Sequence, residues 1–251
     1  SMCGICGRYG PVSGSRPKGT IQSMIGKLGH RGPDDHGTYV AAASDGMGIG
    51  LGHTRLSIID LSANARQPMS NEDGTVWIVF NGEIYNFLGF REELRSKGHR
   101  FTSESDTEVI LHLYEEEGIE CVNRLAGMFA FALWDGKAER LWICRDRLGI
   151  KPLVYFWDGK NLSFASEIKA LLGDPALPKA IDYQALGLYL RLNYIPAPWT
   201  IFENIQKLEP GHWLLLERGR LEKHCYWRVS DSGAVANPAG DIGHVKKRLY
   251  R

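Results

Sequence analysis

The sequence predicts an α+β protein built on antiparallel sheets. Three observations point there: four Asp-Gly pairs set among apolar runs, a few clear amphipathic helices, and an order of strands, then helices, then further hairpins. Asp-Gly between apolar segments is a strong hairpin signal, because glycine supplies the left-handed backbone that a tight turn demands. Hairpins build antiparallel sheets, which argues against a doubly wound parallel fold. With 251 residues, 43% of them hydrophobic, the chain is long enough for one large domain or two small ones with a full core.

The strands follow from the pairs Asp45-Gly46, Asp73-Gly74, Asp135-Gly136 and Asp158-Gly159. Residues 75–80 follow the second pair as a strand, 128–134 and 140–144 flank the third, and 153–157 and 161–164 flank the fourth. A first short helix is predicted over 21–28, ending near Gly29. A second over 87–97 sets Phe87, Phe90 and Leu94 on one face and stops at Gly98. A third over 106–117 turns Val109, Ile110, Leu113 and Tyr114 inward, with Ser105 as its cap, Glu108 completing a capping box, and Gly118 as its stop. Shorter helices are predicted over 167–172 and 183–190, then a rigid connection over 195–199, and a last hairpin from 213–216 and 221–227. The small, polar stretch 230–243 reads as a linker, and 243–251 as the start of a basic helix.

Charge narrows the function. A net charge of +1 with no basic stripe gives no reason to expect nucleic acid or an anionic membrane as partner. No run of eighteen apolar residues and no secretory leader are found, and the five scattered cysteines fit reduced thiols, so a cytoplasmic protein is expected. No metal site is expected either. Cys3 and Cys6 are spaced as one half of a zinc or redox site, but zinc needs a second pair, and His224-Cys225 is the nearest candidate.

Chemistry concentrates at the start of the chain, Ser1-Met2-Cys3-Gly4. Ser1 reads as a scar of tag cleavage and Met2 as the initiator. With both removed, Cys3 carries a thiol and a free α-amine that titrates near about 8, a nucleophile with its own base. Position alone leaves this reading level with that of a small buried residue in the first strand. Asn81-Gly82 ends the 75–80 strand and offers a side-chain amide beside a backbone N–H, a suitable oxyanion pair; it is equally a plain turn. Arg55 lies among Leu56, Ile58 and Ile59, so it calls for an anionic partner, either a structural carboxylate or a substrate carboxylate. Asp106 at a helix start is either a first-turn acid or a counter-ion for a substrate ammonium.

In combination these motifs are specific. Met2-Cys-Gly-Ile, His30-Arg-Gly-Pro-Asp-Asp, Gly52-His-Thr-Arg-Leu-Ser-Ile-Ile-Asp-Leu61, Phe80-Asn-Gly-Glu-Ile-Tyr-Asn86, Ser105-Asp-Thr-Glu108, Arg145-Asp-Arg-Leu-Gly-Ile-Lys-Pro152 and Ser166-Glu-Ile-Lys-Ala170 occur in this order. The chain up to Trp227 resembles the glutaminase domain of glutamine-hydrolysing asparagine synthetases. That resemblance implies the N-terminal-nucleophile fold, a four-layer αββα sandwich of two antiparallel sheets. It implies Cys3 as nucleophile and Asn81 and Gly82 as oxyanion hole. It assigns Arg55 to the glutamine α-carboxylate, Glu83 and Asp106 to its α-ammonium, and Leu56, Ile58 and Ile59 to the pocket lining.

Residues 3–229 are then expected to form the glutaminase domain, and 230–251 the linker and start of an absent synthetase domain in the same polypeptide. L-glutamine is the expected substrate, and a homodimer is to be tested. No cofactor is expected in this part; ATP and Mg belong with the synthetase domain. Alternatives are amidation of another carboxylate, such as a sugar acid, or a non-catalytic glutamine-binding module. With Ser1 and Met2 retained, Cys3 has no free amine and the activity is expected to be blocked.

Overall fold

A computed structural model describes residues 3–12, 16–56 and 66–229. Ser1, Met2, Ile58, Ile59 and residues 230–251, all named above, lie outside the described residues. Twelve strands and five α-helices are described. Strands β1 (Gly4–Pro11), β2 (Asp35–Ala42) and β3 (Met47–Arg55) come first, with helix α1 (Arg16–Gly26) between β1 and β2. Next are β4 (Met69–Ser70) and β5 (Val76–Ile84), helices α2 (Phe87–Ser96) and α3 (Asp106–Glu117), then β6 (Gly127–Asp135) and β7 (Arg140–Arg145). The chain ends with β8 (Val154–Trp157), β9 (Leu162–Ala165), α4 (Ile168–Leu171), α5 (Tyr183–Leu192), β10 (Ile205–Lys207), β11 (His212–Glu217) and β12 (Arg220–Cys225).

All strand pairs are antiparallel and form two six-stranded sheets, ordered β10-β8-β9-β1-β3-β2 and β12-β11-β7-β6-β5-β4. Side chains alternate across each strand, and the alternation sorts the core into layers. Ile5, Ile49 and Leu51 of the first sheet meet Val79, Ala130, Ala132, Leu141 and Ile143 of the second between the sheets. Phe129, Phe131 and Trp142 face outward onto Leu94 of α2 and Val109, Ile110 and Leu113 of α3. On the far side Cys6 packs with Ile21 and Met24 of α1 and with Leu171 of α4. The result is the expected four-layer αββα sandwich, with one apolar layer between each adjacent pair.

All four Asp-Gly pairs sit at connections between paired strands. Gly46, Gly74 and Gly159 have φ of 71°, 69° and 95°, the left-handed backbone a tight turn needs. The Asp135-Gly136 connection differs: Asp135 accepts from the amides of Lys137 and Ala138, and Glu139 takes the left-handed conformation at φ 49°. The first helix starts at Arg16 and ends at Gly26, earlier than the expected 21–28, and the second ends at Ser96. Helix α3 has the expected limits, and Ser105 caps it through the amide of Thr107. The capping box does not form. Glu108 turns away to accept from the amides and hydroxyls of Thr102 and Ser103, so it braces the preceding loop. Among the described residues no helix is long and apolar enough to cross a membrane.

Candidate functional site

The alternation that builds the interior also builds the site. Ile5, Ile49, Leu51 and Val79 point between the sheets. Extending the period of two puts Cys3, His53, Arg55, Asn81 and Glu83 on the same inner faces, toward one end of the interior. Gly4 of β1 is paired with Thr54 of β3, so Cys3 lies beside Arg55. His53 Nε2 donates to the Phe80 carbonyl across the sheets at 3.2 Å, which brings β5 against β3 one residue before Asn81. Burial outweighs that bond and pushes the His53 pKa down to about 4, so it is a neutral strut.

The chain at Cys3 is tied down on several sides. Arg31 Nε donates to the Cys3 carbonyl at 2.9 Å, and its Nη1 bonds Glu167 at 2.7 Å. Ser166 and Ile5 exchange two hydrogen bonds, at 3.0 and 2.9 Å. Gly32 lets its loop lie directly on β3, since a Cβ there would stand 2.4 Å from the Thr54 carbonyl carbon. The Cys3 thiol is half-buried and directed at the Leu56 carbonyl at 3.9 Å. Burial raises its pKa, opposed by the Leu56 backbone and by the charges of Lys151, Arg55 and Arg31. The thiol therefore rests protonated and needs a base to become a nucleophile.

Asn81-Gly82 is not a turn. It lies inside β5, paired with Ala130 and Phe129 of β6, because the strand runs on to Ile84. Strand β4 covers only Ile78 and Trp77, so the later part of β5 has an open edge. Side chains serve that edge: the amide of Phe80 donates to Gln67 Oε1 at 2.6 Å, and that of Ile84 to Asp106 Oδ2 at 2.8 Å. Backbone N–H groups alternate sides along an antiparallel strand, so Gly82 N–H leaves by the same edge, between those two. Asn81, 1% exposed, presents a buried Nδ2 with no hydrogen-bond partner among the described residues. Gly82 must be glycine, because a Cβ would stand 2.3 Å from the Met128 carbonyl oxygen.

Asp106 is a first-turn acid of α3, one of the readings considered from sequence, with Ser105 as the cap, and its carboxylate also reaches back to β5. Burial raises its pKa, and the nearby Glu83 carboxylate raises it further. A buried acid and a half-buried one thus stand close enough to repel each other. Leu56 is half-buried beside Arg55.

Sequence reasoning had not singled out Arg31, Glu167, Gln67, Asp146 or Lys151. Asp146, fully buried, accepts from the amides of Phe129, Leu148, Ile150 and Lys151 and so shapes the loop that brings Lys151 to Cys3. Arg31, Asp146, Lys151 and Glu167 stand inside the motifs quoted above, which is the signal that could have found them; Gln67 lies outside them. Of the five cysteines, burial drives the thiols of Cys6, Cys121 and Cys144 far above their ordinary range, while Cys225 is exposed.

A family model described as a glutamine amidotransferase domain matches residues 2–227. The chain belongs to the glutamine amidotransferase domain family. It is 38% identical to a putative glutamine-hydrolysing asparagine synthetase 2 of Methanocaldococcus jannaschii, over 99% of this chain and 51% of that protein. It is 39% identical to glutamine-hydrolysing asparagine synthetase 3 of Bacillus subtilis, over 91% of this chain and 37% of that protein. The amidotransferase domain thus spans about half or less of the length of these relatives. In structure it is similar to the glutamine phosphoribosylpyrophosphate amidotransferase of B. subtilis, with a TM-score of 0.66 at 19% identity, over 89% of this chain and 49% of that one. At that identity the likeness concerns the fold.

Proposed function

We propose that this domain hydrolyses the side-chain amide of L-glutamine through a Cys3 thioester and delivers the ammonia to a synthetase domain. The observation that carries this reading is the buried Nδ2 of Asn81, without a partner among the described residues and facing the same interior as Cys3. A buried amide N–H without a partner costs about 1–3 kcal/mol, so a strand that keeps one has a use for it. An anion forming at that point recovers the loss.

Once Cys3 is N-terminal, its α-amine takes the thiol proton and the thiolate adds to the amide carbon. Asn81 Nδ2 and the Gly82 amide hold the resulting oxyanion. Collapse of the adduct breaks the C–N bond, and the proton held on the α-amine goes to the leaving nitrogen as ammonia departs. Water then adds to the thioester, giving glutamate and restoring the thiol. Arg55 binds the α-carboxylate, Glu83 and Asp106 bind the α-ammonium, and Leu56, Ile58 and Ile59 line the pocket. An ammonium between Glu83 and Asp106 relieves the repulsion that raises the Asp106 pKa.

The acceptor proposed is aspartate, by analogy with the names of the relatives, with ATP and Mg used by the synthetase domain. Protein trimmed to Cys3 is expected to release glutamate and ammonia from glutamine, and Cys3→Ala is expected to release neither. Folded, Cys3-terminal protein that binds glutamine without hydrolysing it would overturn the reading. While Ser1 and Met2 remain, the Cys3 nitrogen is an amide with no basicity, and trimming should switch hydrolysis on.

A further inference from the structure

A second constellation lies away from Cys3, where the loop after α2, the middle of α3 and the β4–β5 turn meet. His99 Nδ1 and His112 Nδ1 face each other at 3.1 Å. Glu115 Oε2 stands 2.9 Å from His112 Nδ1 and 3.6 Å from His99 Nδ1. Glu72 approaches from the turn, with Oε2 4.0 Å from His112 Nδ1. Ligand atoms of Glu72, His99 and His112 all lie within 4.8 Å of one another.

Hydrogen bonding assigns the lone pairs. Glu116 lies 3.0 Å from His99 Nε2, and a carboxylate accepts, so His99 carries its proton on Nε2 and turns the lone pair of Nδ1 inward. His112 Nδ1 lies 2.9 Å from Glu115 Oε2, while its Nε2 is 3.9 Å from Glu108, so in the metal-free protein His112 donates from Nδ1 and a metal would take the place of that proton. Two imidazole nitrogens and the carboxylates of Glu115 and Glu72 then converge on one point, where a cation can replace the shared proton. The His99–His112 separation of 3.1 Å is close to the edge of a tetrahedron with zinc–nitrogen bonds of about 2.0–2.1 Å, and Glu72, 4.0 Å from His112, needs only a small side-chain shift to join it. The Glu116 carboxylate on the outer nitrogen of His99 is the arrangement that orients a metal-bound imidazole. Asn71 adds a bond to Glu115 Oε1 at 2.8 Å, and Phe101 packs edge-on against His112 at 4.7 Å. His112 is 1% exposed, so the inner ligand is fixed by packing, while Glu72 closes the site from solvent.

We propose that His99, His112, Glu115 and Glu72 bind one divalent transition-metal ion of the zinc class. Two nitrogens and two oxygens suit such an ion better than magnesium or calcium, which prefer oxygen alone. The ion would clip α3 to the loop before it and to the β4–β5 turn, and α3 begins with Asp106 of the glutamine site. The absence of a metal expected from the sequence rested on cysteine spacing; here the histidines are thirteen residues apart and meet only in the fold.

The test is zinc titration of the chain under chelator-buffered conditions, read by calorimetry and melting temperature, with cobalt as a visible probe. One equivalent is expected to bind, raise the melting temperature and give the absorption of four-coordinate cobalt. Glu116→Gln, outside the ligand set, should weaken binding about 10–100-fold. His99→Gln and Glu72→Gln, both at accessible positions, should weaken it more while leaving the metal-free melting temperature near that of the parent. Zinc affinity unchanged in His99→Gln and Glu72→Gln would overturn the proposal, because any bound zinc would then sit elsewhere. No binding to the folded parent would overturn it equally. Neither result bears on glutamine hydrolysis, which is assayed with chelator present.

Discussion

Replacing Asn81 with alanine should separate activity from stability. In the resting protein Asn81 Nδ2 is buried without a partner among the described residues, a standing cost of about 1–3 kcal/mol. Truncation removes that cost and loses a few side-chain contacts, so the unfolding free energy should change little. Catalysis should change greatly. Losing one oxyanion donor costs about 2.7–4 kcal/mol in the transition state, about 10²–10³ in kcat. The donor acts on charge that develops only during reaction, so KM for glutamine should stay near its parent value. The assay is glutamate release by Cys3-terminal protein at saturating glutamine, beside urea unfolding of the same preparations. A kcat within tenfold of the parent would refute the oxyanion role. A stability loss above about 3 kcal/mol would refute the other half, because it would mean that the amide has a partner in the resting fold.

Three further outcomes follow from the same geometry. Arg31→Lys keeps the charge near Cys3 but loses the planar Nε–H that holds the Cys3 carbonyl, so kcat should fall while the melting temperature holds; equal kcat would show that the anchor does not set the nucleophile's position. Glutamine KM should rise on acidification, because Asp106 must be ionised to bind an ammonium and burial has raised its pKa, so the charge is lost as pH falls through that raised value; Asp106→Asn should raise KM at neutral pH and flatten the profile, and an unchanged acid limb would remove Asp106 from the site. Asp174→Ala should destabilise the fold by about 3–5 kcal/mol in urea unfolding, because it leaves Arg8, bonded at 2.9 Å and 7% exposed, without its buried counter-ion; a loss below about 1 kcal/mol would show that the pair is not effectively buried.

The sequence made the layers legible because their physics is local. Alternation in residues 128–134 and 140–144 and glycines at the turns are properties of neighbours along the chain. The αββα sandwich itself rested on the resemblance, and the two sheets and three core layers show it directly. Misreadings came where tertiary partners outbid local preference. Asn-Gly is the commonest turn pair, yet Asn81-Gly82 stays in strand because β6 pairs with it and Gln67 and Asp106 serve its open edge. Ser105 and Glu108 are spaced as a capping box, yet Glu108 finds four donors in the loop before it. The roles of Arg31 and Lys151, and the His99–His112 pair, were not legible for the complementary reason. Each acquires its meaning from a residue distant in the chain, and no period or spacing announces that.

The two halves of the proposed glutamine site ride on different sheets. Cys3 and Arg55 belong to one; Asn81 and Glu83 belong to the other. They work like the jaws of a vice, and the gap between the jaws is the thickness of the filling behind them. That filling includes Ala130, directly paired with Asn81, and Ala132, two residues further in. Both are small where their neighbours are large, which lets the sheets draw close at this end. The calibre of the interior is therefore a parameter of the reaction. A methyl group added at Ala132 would open the jaws without touching glutamine, so a family of such proteins has a way to retune the chemistry from inside while every site residue stays the same.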